Sequence, residues 1–383
     1  MSSHHPVFTP SAAGPAELEA QTVGRTHLIE TLVSRIKSAA RDGSRPHTLL
    51  IAPRGGGKTH TMQVTLHRVL ADRETAERLL LVAIPEDSLA IGSYADLLVE
   101  IARALDPDLA ETARTLRLLR DPVGIEAAVM AFAAGRMVLL AVENLDRIFD
   151  GIGPAGQGSL RAWVETSTAL LVFATAPRRF PGVSSREYPW YGSFSVEPLP
   201  GLNLEDAATL LRRAAQRRSD ESLAAYVDTA QGRDRLSAIH HLAGGSPRIW
   251  QLLSENVDAH ALAELTPAVQ TLLDRLAPYY QHQLWQLPAG EQRLVVELAR
   301  GWTPRTVSDL AAAVGVSNQS ASAALGRLAT EHWVTSSKAT DGDRRTSWYD
   351  LTEPLLRYHV RYRDNGALTE NDIRAATPAE SRP

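Results

Sequence analysis

The chain has 383 residues, 44% apolar and 22% charged, with a formal net charge of −4. That length leaves room for two or three domains with a real core, and the charge excludes a chain basic throughout, so any nucleic-acid contact must be local. The lack of cysteine excludes disulfides, cysteine nucleophiles and thiolate metal sites and suits a reducing, cytoplasmic setting; no apolar run is long enough for a membrane span.

Residues 1–22 read as a flexible leader, with His4 and His5 as tail residues, because the stretch lacks the charged and apolar regions of a signal peptide. The twelve histidines show no metal-ligand spacing. Apolar spacing predicts a helix over 27–41, a polar turn, and an apolar strand over 48–52. That strand runs into LLIAPRGGGKTHTM, residues 49–62, which fits a phosphate-binding loop from Ala52 to Thr59, with alanine in place of the first glycine. Gly55, Gly56 and Gly57 have no Cβ and tolerate positive φ, so backbone N–H groups can close around a phosphate chain. The start of the next helix, 59–71, adds its unpaired N–H groups and dipole. Pro53, Arg54 and His60 complete the expected loop lining, Lys58 reaches the β- and γ-phosphates, and the Thr59 hydroxyl ligates Mg²⁺.

A short strand is expected at 79–84, ended by Pro85, and helical spacing runs over 92–133 with breaks at Asp106-Pro107 and Asp121-Pro122. A nearly continuous apolar strand, 137–142, is closed by Glu143, Asn144, Leu145 and Asp146; further strands are expected at 169–175 and 194–196. Continuous apolar strands alternating with helices predict a parallel sheet covered on both faces. Two registers are open at the acidic strand end. In the first, Glu143 holds the metal shell and Asn144 replaces the catalytic base; an amide accepts no proton, so hydrolysis is slow. In the second, Glu143 is itself the base and the metal ligand comes from elsewhere, with Asp146 a candidate. Thr175 ends its strand where a γ-phosphate sensor would sit, while Trp190, Tyr191 and Phe194 read as core or domain-contact residues.

From Asn203, an N-cap with Asp206 three residues on, the pattern turns wholly helical: 204–218, 221–230, 233–243, 247–260 and 266–285. Arg248 follows a Gly-Gly-Ser-Pro turn at a helix start, a place to present a guanidinium to a phosphate. Residues 289–350 read as a winged helix: helices 290–300, 307–314 and 318–331, then strands 333–336 and 347–351 joined by a polar tip. Ser317, Asn318, Gln319 and Ser320 open the third helix and can meet base edges or phosphates, and Arg327 continues it. Lys338, Arg344 and Arg345 at the wing can neutralise phosphates. Residues 289–363 carry ten Lys/Arg against eight Asp/Glu, a net of +2, which leaves duplex DNA and a protein partner both open.

Several of these segments together resemble AAA+ and STAND-type ATPases. Val23-Gly24-Arg25 resembles the V-G-R box that touches the nucleotide, so Gly24 and Arg25 join the expected nucleotide site. Gly244-Gly245-Ser246-Pro247-Arg248 resembles the G-N-P-R motif whose arginine reaches the γ-phosphate. Glu143-Asn144-Leu145-Asp146 is similar to the D-E-x-D run of origin-recognition and archaeal initiator ATPases, and 349–363, YDLTEPLLRYHVRYR, to the end of archaeal-type STAND ATPases carrying a winged helix.

The resemblance, over about 23–363, implies a P-loop NTPase of the AAA+-like α/β class. Its expected parts are a core at 23–200, an all-helical lid at 201–286, a winged helix-turn-helix at 287–363 and a flexible tail at 364–383. It implies ATP and Mg²⁺ as cofactors and Lys58, Glu143, Asn144 and Arg248 as the catalytic set. It also implies a homo-oligomer in which Arg178, Arg179 or Arg186 reaches a neighbour's nucleotide. The functional expectation is a slow ATPase that uses nucleotide state as a switch on duplex DNA. The alternatives are a nucleotide-binding scaffold that docks a protein partner, and a nucleotide-sensing transcriptional regulator.

Overall fold

The computed structural model describes residues 14–86, 91–167, 169–331, 333–338 and 346–366. The chain divides into two compact units, Met1–Pro200 and Gly201–Pro383.

The first unit is built on five strands: β1 (Thr48–Ile51), β2 (Leu79–Ile84), β3 (Met137–Val142), β4 (Leu170–Ala176) and β5 (Ser195–Pro198). Their order is β2-β3-β4-β1-β5, and every pairing is parallel. All residues of β3 and β4 are buried, as strands covered on both faces must be. The side-chain period of two divides the core into two layers. Leu49, Val82, Leu140, Val142 and Val172 share one cluster with Leu97 and Ile101 of helix Tyr94–Leu105 and Phe149 of helix Leu145–Thr166. Leu50, Leu139, Leu171 and Phe173 share the other with Leu32 and Ile36 of helix Thr26–Asp42 and Met62 and Leu66 of helix Lys58–Leu70.

The two Asp-Pro breaks are helix starts. Asp106 accepts from the N–H groups of Asp108 and Leu109 and begins Pro107–Leu118; Asp121 accepts from Gly124 and begins Pro122–Ala133. Proline at the first helical position costs nothing there, because its missing N–H has no partner to lose. The first unit departs from the sequence reading at its start. Pro15–Gln21, inside the stretch expected to be a flexible leader, is a helix. Its Leu18 is buried with Ile29 and Val64, and Arg68 grips Glu19 through two hydrogen bonds of 2.6 and 2.7 Å. Helix Leu145–Thr166 is broken by Gly153, whose φ of 64° and ψ of 177° precede Pro154.

In the second unit, Asn203 and Asp206 form a reciprocal cap at the start of Leu204–Arg217. Glu221–Val227, Ala230–Ala243, Pro247–Asn256, Ala259–Glu264 and Thr266–Trp285 follow. The single helix expected over 247–260 is two, because Val257 is extended and Asp258 caps a new start. Gly201 and Gly245 lie back to back: a Cβ on Gly245 would sit 2.5 Å from the Leu202 carbonyl oxygen, and Leu202 N–H donates to the Gly245 carbonyl at 2.8 Å. Part of the Gly-Gly-Ser-Pro-Arg pattern is thus packing.

Ala289–Arg300, β6 (Arg305–Thr306), Val307–Val314, Asn318–Thr330, β7 (Val334–Lys338), β8 (Ser347–Leu351) and Leu355–Asn365 complete the chain. The strands form an antiparallel sheet in the order β6-β8-β7. At two residues, β6 is too short to show as a period in the sequence; only its pairing with Trp348 and Tyr349 makes it a strand. Gly315, with φ of 72°, closes Val307–Val314 in the left-handed conformation that glycine adopts freely.

Two buried histidines give the fold an acid limit. His47 Nδ1 accepts the Val172 N–H at 3.1 Å, so the ring must be unprotonated there. Burial pushes His47 and His359 down to about 4. The unfolded state therefore binds these protons first, and stability falls as pH drops from about 6.5 towards 4, by up to about 1.4 kcal/mol per pH unit for each group. Urea unfolding midpoints at pH 7 and pH 5 should show that loss, and His47→Gln should remove its share.

Candidate functional site

The loop after β1 has the shape its composition predicts, with a division of labour among its glycines. Gly55 and Gly57 take positive φ, 75° and 80°, whereas Gly56 does not. Gly56 is required for space: a Cβ there would lie 2.7 Å from the Ala52 Cβ and 2.9 Å from the Pro53 carbonyl oxygen. The alanine at the place of the first glycine is accommodated because Gly56 opposite has no side chain. Gly57 caps Lys58–Leu70, so the first N–H groups of that helix face the loop. Lys58 Nζ lies over the turn, donating to the carbonyls of Ala52 at 2.7 Å and Pro53 at 3.2 Å. Pro53 and Arg54 are exposed at its rim.

Sheet order places β4 between β1 and β3, so the strand-end residues Thr175 and Glu143 approach the loop from one side. The Thr59 hydroxyl donates to Glu143 Oε2 at 2.7 Å, and Glu143 is buried. A threonine hydroxyl beside a carboxylate is a hard-oxygen donor set that fits Mg²⁺, and a cradle closed to any Cβ at Gly56 fits a phosphate chain. Thr175, buried, accepts the Asn144 backbone N–H at 3.1 Å. Asn144 itself is left-handed, with φ of 51° and ψ of 56°, a conformation in which asparagine is favoured over most residues. Asp146 has one buried carboxylate oxygen without a hydrogen-bond partner, and burial raises its pKa.

Three of the expected site residues have protein partners of their own. Arg25 is buried. It donates to the Gly56 carbonyl at 2.7 Å, Gly57 at 3.3 Å, Thr61 Oγ1 at 3.1 Å and Pro200 at 2.9 Å, so it braces the loop from behind. Gly24, at φ of 67°, turns the chain into that position. His60 Nε2 lies 3.0 Å from Thr22 Oγ1; burial, then the Arg25 charge, pushes it down to about 4. Arg327 donates its Nε to the buried Glu291 at 2.6 Å while most of its side chain stays exposed.

Among the remaining expected residues, Arg248 belongs to the second unit, 4.8 Å over the Tyr279 ring. Ser317 caps Asn318–Thr330 by accepting from Ser320 N–H and donates its hydroxyl to Ser320 Oγ at 2.9 Å, while Asn318 and Gln319 are exposed. Lys338 ends β7, exposed; Arg344 and Arg345 lie outside the described residues. Arg178 is half-buried and Arg179 exposed after β4, and Arg186 lies 5.8 Å over Tyr191. Trp190 is core, its indole N–H donating to Gln157. Thr61 and Pro200, which hold Arg25, have no sequence signal of their own.

The parallel order with β4 beside the loop strand, together with the loop, the Thr59–Glu143 pair and Thr175, is that of a P-loop α/β fold of the AAA+ type. No protein-family model matches the sequence, and no curated protein matches it either. Solved structures do. The chain is similar to the ORC2 protein of Aeropyrum pernix in ADPNP–ADP complexes, at 14% identity over 92% of this chain and 94% of that one, with a TM-score of 0.61. It is similar to the Walker-type ATPase of Pyrococcus abyssi, at 13% identity over 89% and 96%, with a TM-score of 0.57. A third neighbour is the Aeropyrum pernix ORC1 protein in complex with DNA, at 15% identity over 90% and 93%, with a TM-score of 0.51. At these identities the likeness is one of fold. No helix among the described residues is long and apolar enough to cross a membrane.

Proposed function

We propose that the protein is a cytoplasmic, slowly hydrolysing ATPase that binds ATP·Mg²⁺ in the loop of its first unit and uses nucleotide state as a switch. The Thr59–Glu143 hydrogen bond carries this reading: it supports Glu143 as the acid of the metal shell, the first of the two registers. Mg²⁺ would be held through Thr59 and Glu143, and the metal when bound neutralises charge on the β- and γ-phosphates. Lys58 and the helix N–H groups orient that chain, and Thr175 senses the terminal phosphate. Asn144 occupies the position of the missing base, which keeps turnover slow.

Glu143→Gln separates the registers. It is expected to weaken Mg²⁺-dependent nucleotide binding about tenfold or more, while metal-free binding, measured in EDTA by calorimetry, stays within twofold. Binding that survives with magnesium while turnover stops would favour the second register. Asn144→Glu is expected to raise turnover despite a cost of about 1 kcal/mol for glutamate at positive φ, read by phosphate release and by a urea midpoint.

The helices and strands of 287–363 support a winged helix contacting duplex DNA through Asn318, Gln319 and the wing lysine, Lys338, with Ser317 and Ser320 presenting the helix start. The ion pair of Arg327 with Glu291 favours the second reading, a scaffold whose winged helix docks a protein, because it partly neutralises a cation of the expected reading helix. Steady-state ATPase with and without duplex DNA decides between them: DNA-stimulated turnover supports the first, and tight ATP binding with neither turnover nor a mobility shift at low salt supports the second.

A further inference from the structure

The segments that leave the C-terminal ends of β3 and β4 carry Arg147, Arg178, Arg179 and Arg186. None of the four forms an ion pair among the described residues, and all but Arg178 are exposed. Elsewhere in the first unit Arg68, Arg103, Arg117 and Arg161 are each held by a carboxylate. Three buried rings bring the two segments together. Phe149, two residues past Arg147, lies 5.7 Å from Phe180, which follows Arg179, and 5.6 Å from Trp190. Gly182 of the turn Pro181–Ser184 closes on the same anchor, since a Cβ there would sit 2.8 Å from the Phe149 ring. Large buried rings fix the backbone beside them, so Arg147, Arg179 and Tyr191 flank one apolar anchor. Tyr191, read from the sequence as a core or domain-contact residue, is 46% exposed, and the Arg186 guanidinium lies 5.8 Å over its ring. The acids of these segments are Asp146, Asp150 and Glu187, and none of them pairs with the arginines.

We propose that this edge of the first unit binds a single-stranded nucleic acid, with phosphates on Arg147, Arg179 and Arg186 and a base stacked on Tyr191. Guanidinium groups without carboxylate partners match phosphate oxygens in a planar fork, and an exposed ring among them offers a surface for a flat apolar face. Unpaired bases present such faces along a chain of phosphates. A duplex keeps its base faces inside its own stack, and an acidic peptide would engage the arginines while leaving the ring unused. The contact is separate from the duplex contact proposed for 287–363, and it needs no nucleotide in the phosphate loop.

The test is fluorescence anisotropy of a labelled oligothymidylate of about 20 nucleotides with the full chain, without ATP, over a range of salt. The triple variant Arg147→Ala, Arg179→Ala, Arg186→Ala is expected to bind at least about tenfold more weakly and to flatten the logarithmic salt dependence by about two, three phosphates at about 0.7 each. Tyr191→Ala is expected to weaken binding about tenfold and leave the salt slope in place, while Tyr191→Phe, which keeps the ring, stays within about twofold of wild type. A urea midpoint for each variant checks folding. A wild type that does not bind at low salt overturns the proposal, as does a triple variant that binds like wild type. Equal binding by Tyr191→Ala, or a duplex of the same length bound as tightly as the single strand, overturns the stacking and with it the choice of ligand. A loss in Lys338→Ala with none in the triple variant would move the strand to the winged helix. A triple variant that keeps the oligonucleotide but loses self-association would give the arginines to a neighbouring copy, and either pattern overturns this site.

Discussion

Lys58→Ala is expected to weaken ATP binding about 30- to 100-fold, the largest loss of function from any single substitution in the chain. An ammonium paired with phosphate oxygens makes charge-assisted hydrogen bonds, each roughly twice as strong as a neutral one, and about 2–3 kcal/mol corresponds to that range. Lys58 already lies over the turn, on the carbonyls of Ala52 and Pro53, so nucleotide binding exchanges those partners for phosphate. Titration of a fluorescent ATP analogue, with a urea melt as a folding control, checks it. Affinity within threefold of wild type would remove the loop from the nucleotide site.

Arg25→Ala is expected to cost about 3–4 kcal/mol of stability, and nucleotide affinity with it. The guanidinium satisfies carbonyls of Gly56, Gly57 and Pro200 together with Thr61 Oγ1 behind the loop, and its removal takes the donor from the Gly56 and Pro200 carbonyls and leaves a cavity at a buried site. Arg25→Lys should recover little, because one compact ammonium cannot reproduce a planar fork that spans those partners. The measurement is the urea midpoint. A base-contacting arginine would instead leave the midpoint in place and change the preference among ATP, GTP and CTP, so that pattern would overturn the bracing role.

Much of the phosphate site is legible along the chain because its parts are contiguous and backbone-driven. The run from Ala52 to Thr59 brings together conformational freedom, helix start, lysine and hydroxyl within one turn, and local geometry alone makes that a cradle. Asp106 and Asp121 are legible as breaks for the same reason: a carboxylate before proline caps the helix that follows. The buried strands β3 and β4 read as continuous apolar runs because both their faces are covered.

Side-chain direction is a different matter. Arg25, His60 and Arg327 each sit in a segment with the expected motif, yet each also has a protein partner 31 or more residues away. A polar side chain in a motif looks the same in sequence whether it faces a ligand or a protein group, and the choice depends on which partners the fold brings near. The helix Pro15–Gln21 was hidden likewise: seven residues cannot sustain a helix alone, and it is the packing of Leu18 on Ile29 and Val64 that supports it.

By itself, the sequence determined the phosphate cradle, the parallel α/β core, the all-helical stretch after Asn203 and the helix-turn-helix spacing near the C-terminus, all of them consequences of local conformational preference and apolar period. Only the tertiary structure decided that β4 lies between β1 and β3, that the Thr59 hydroxyl meets Glu143, that Arg25 braces the loop and that Arg248 rests on Tyr279. Those are contacts between residues far apart in the chain, and their partners are chosen by how the layers pack, which no local spacing encodes.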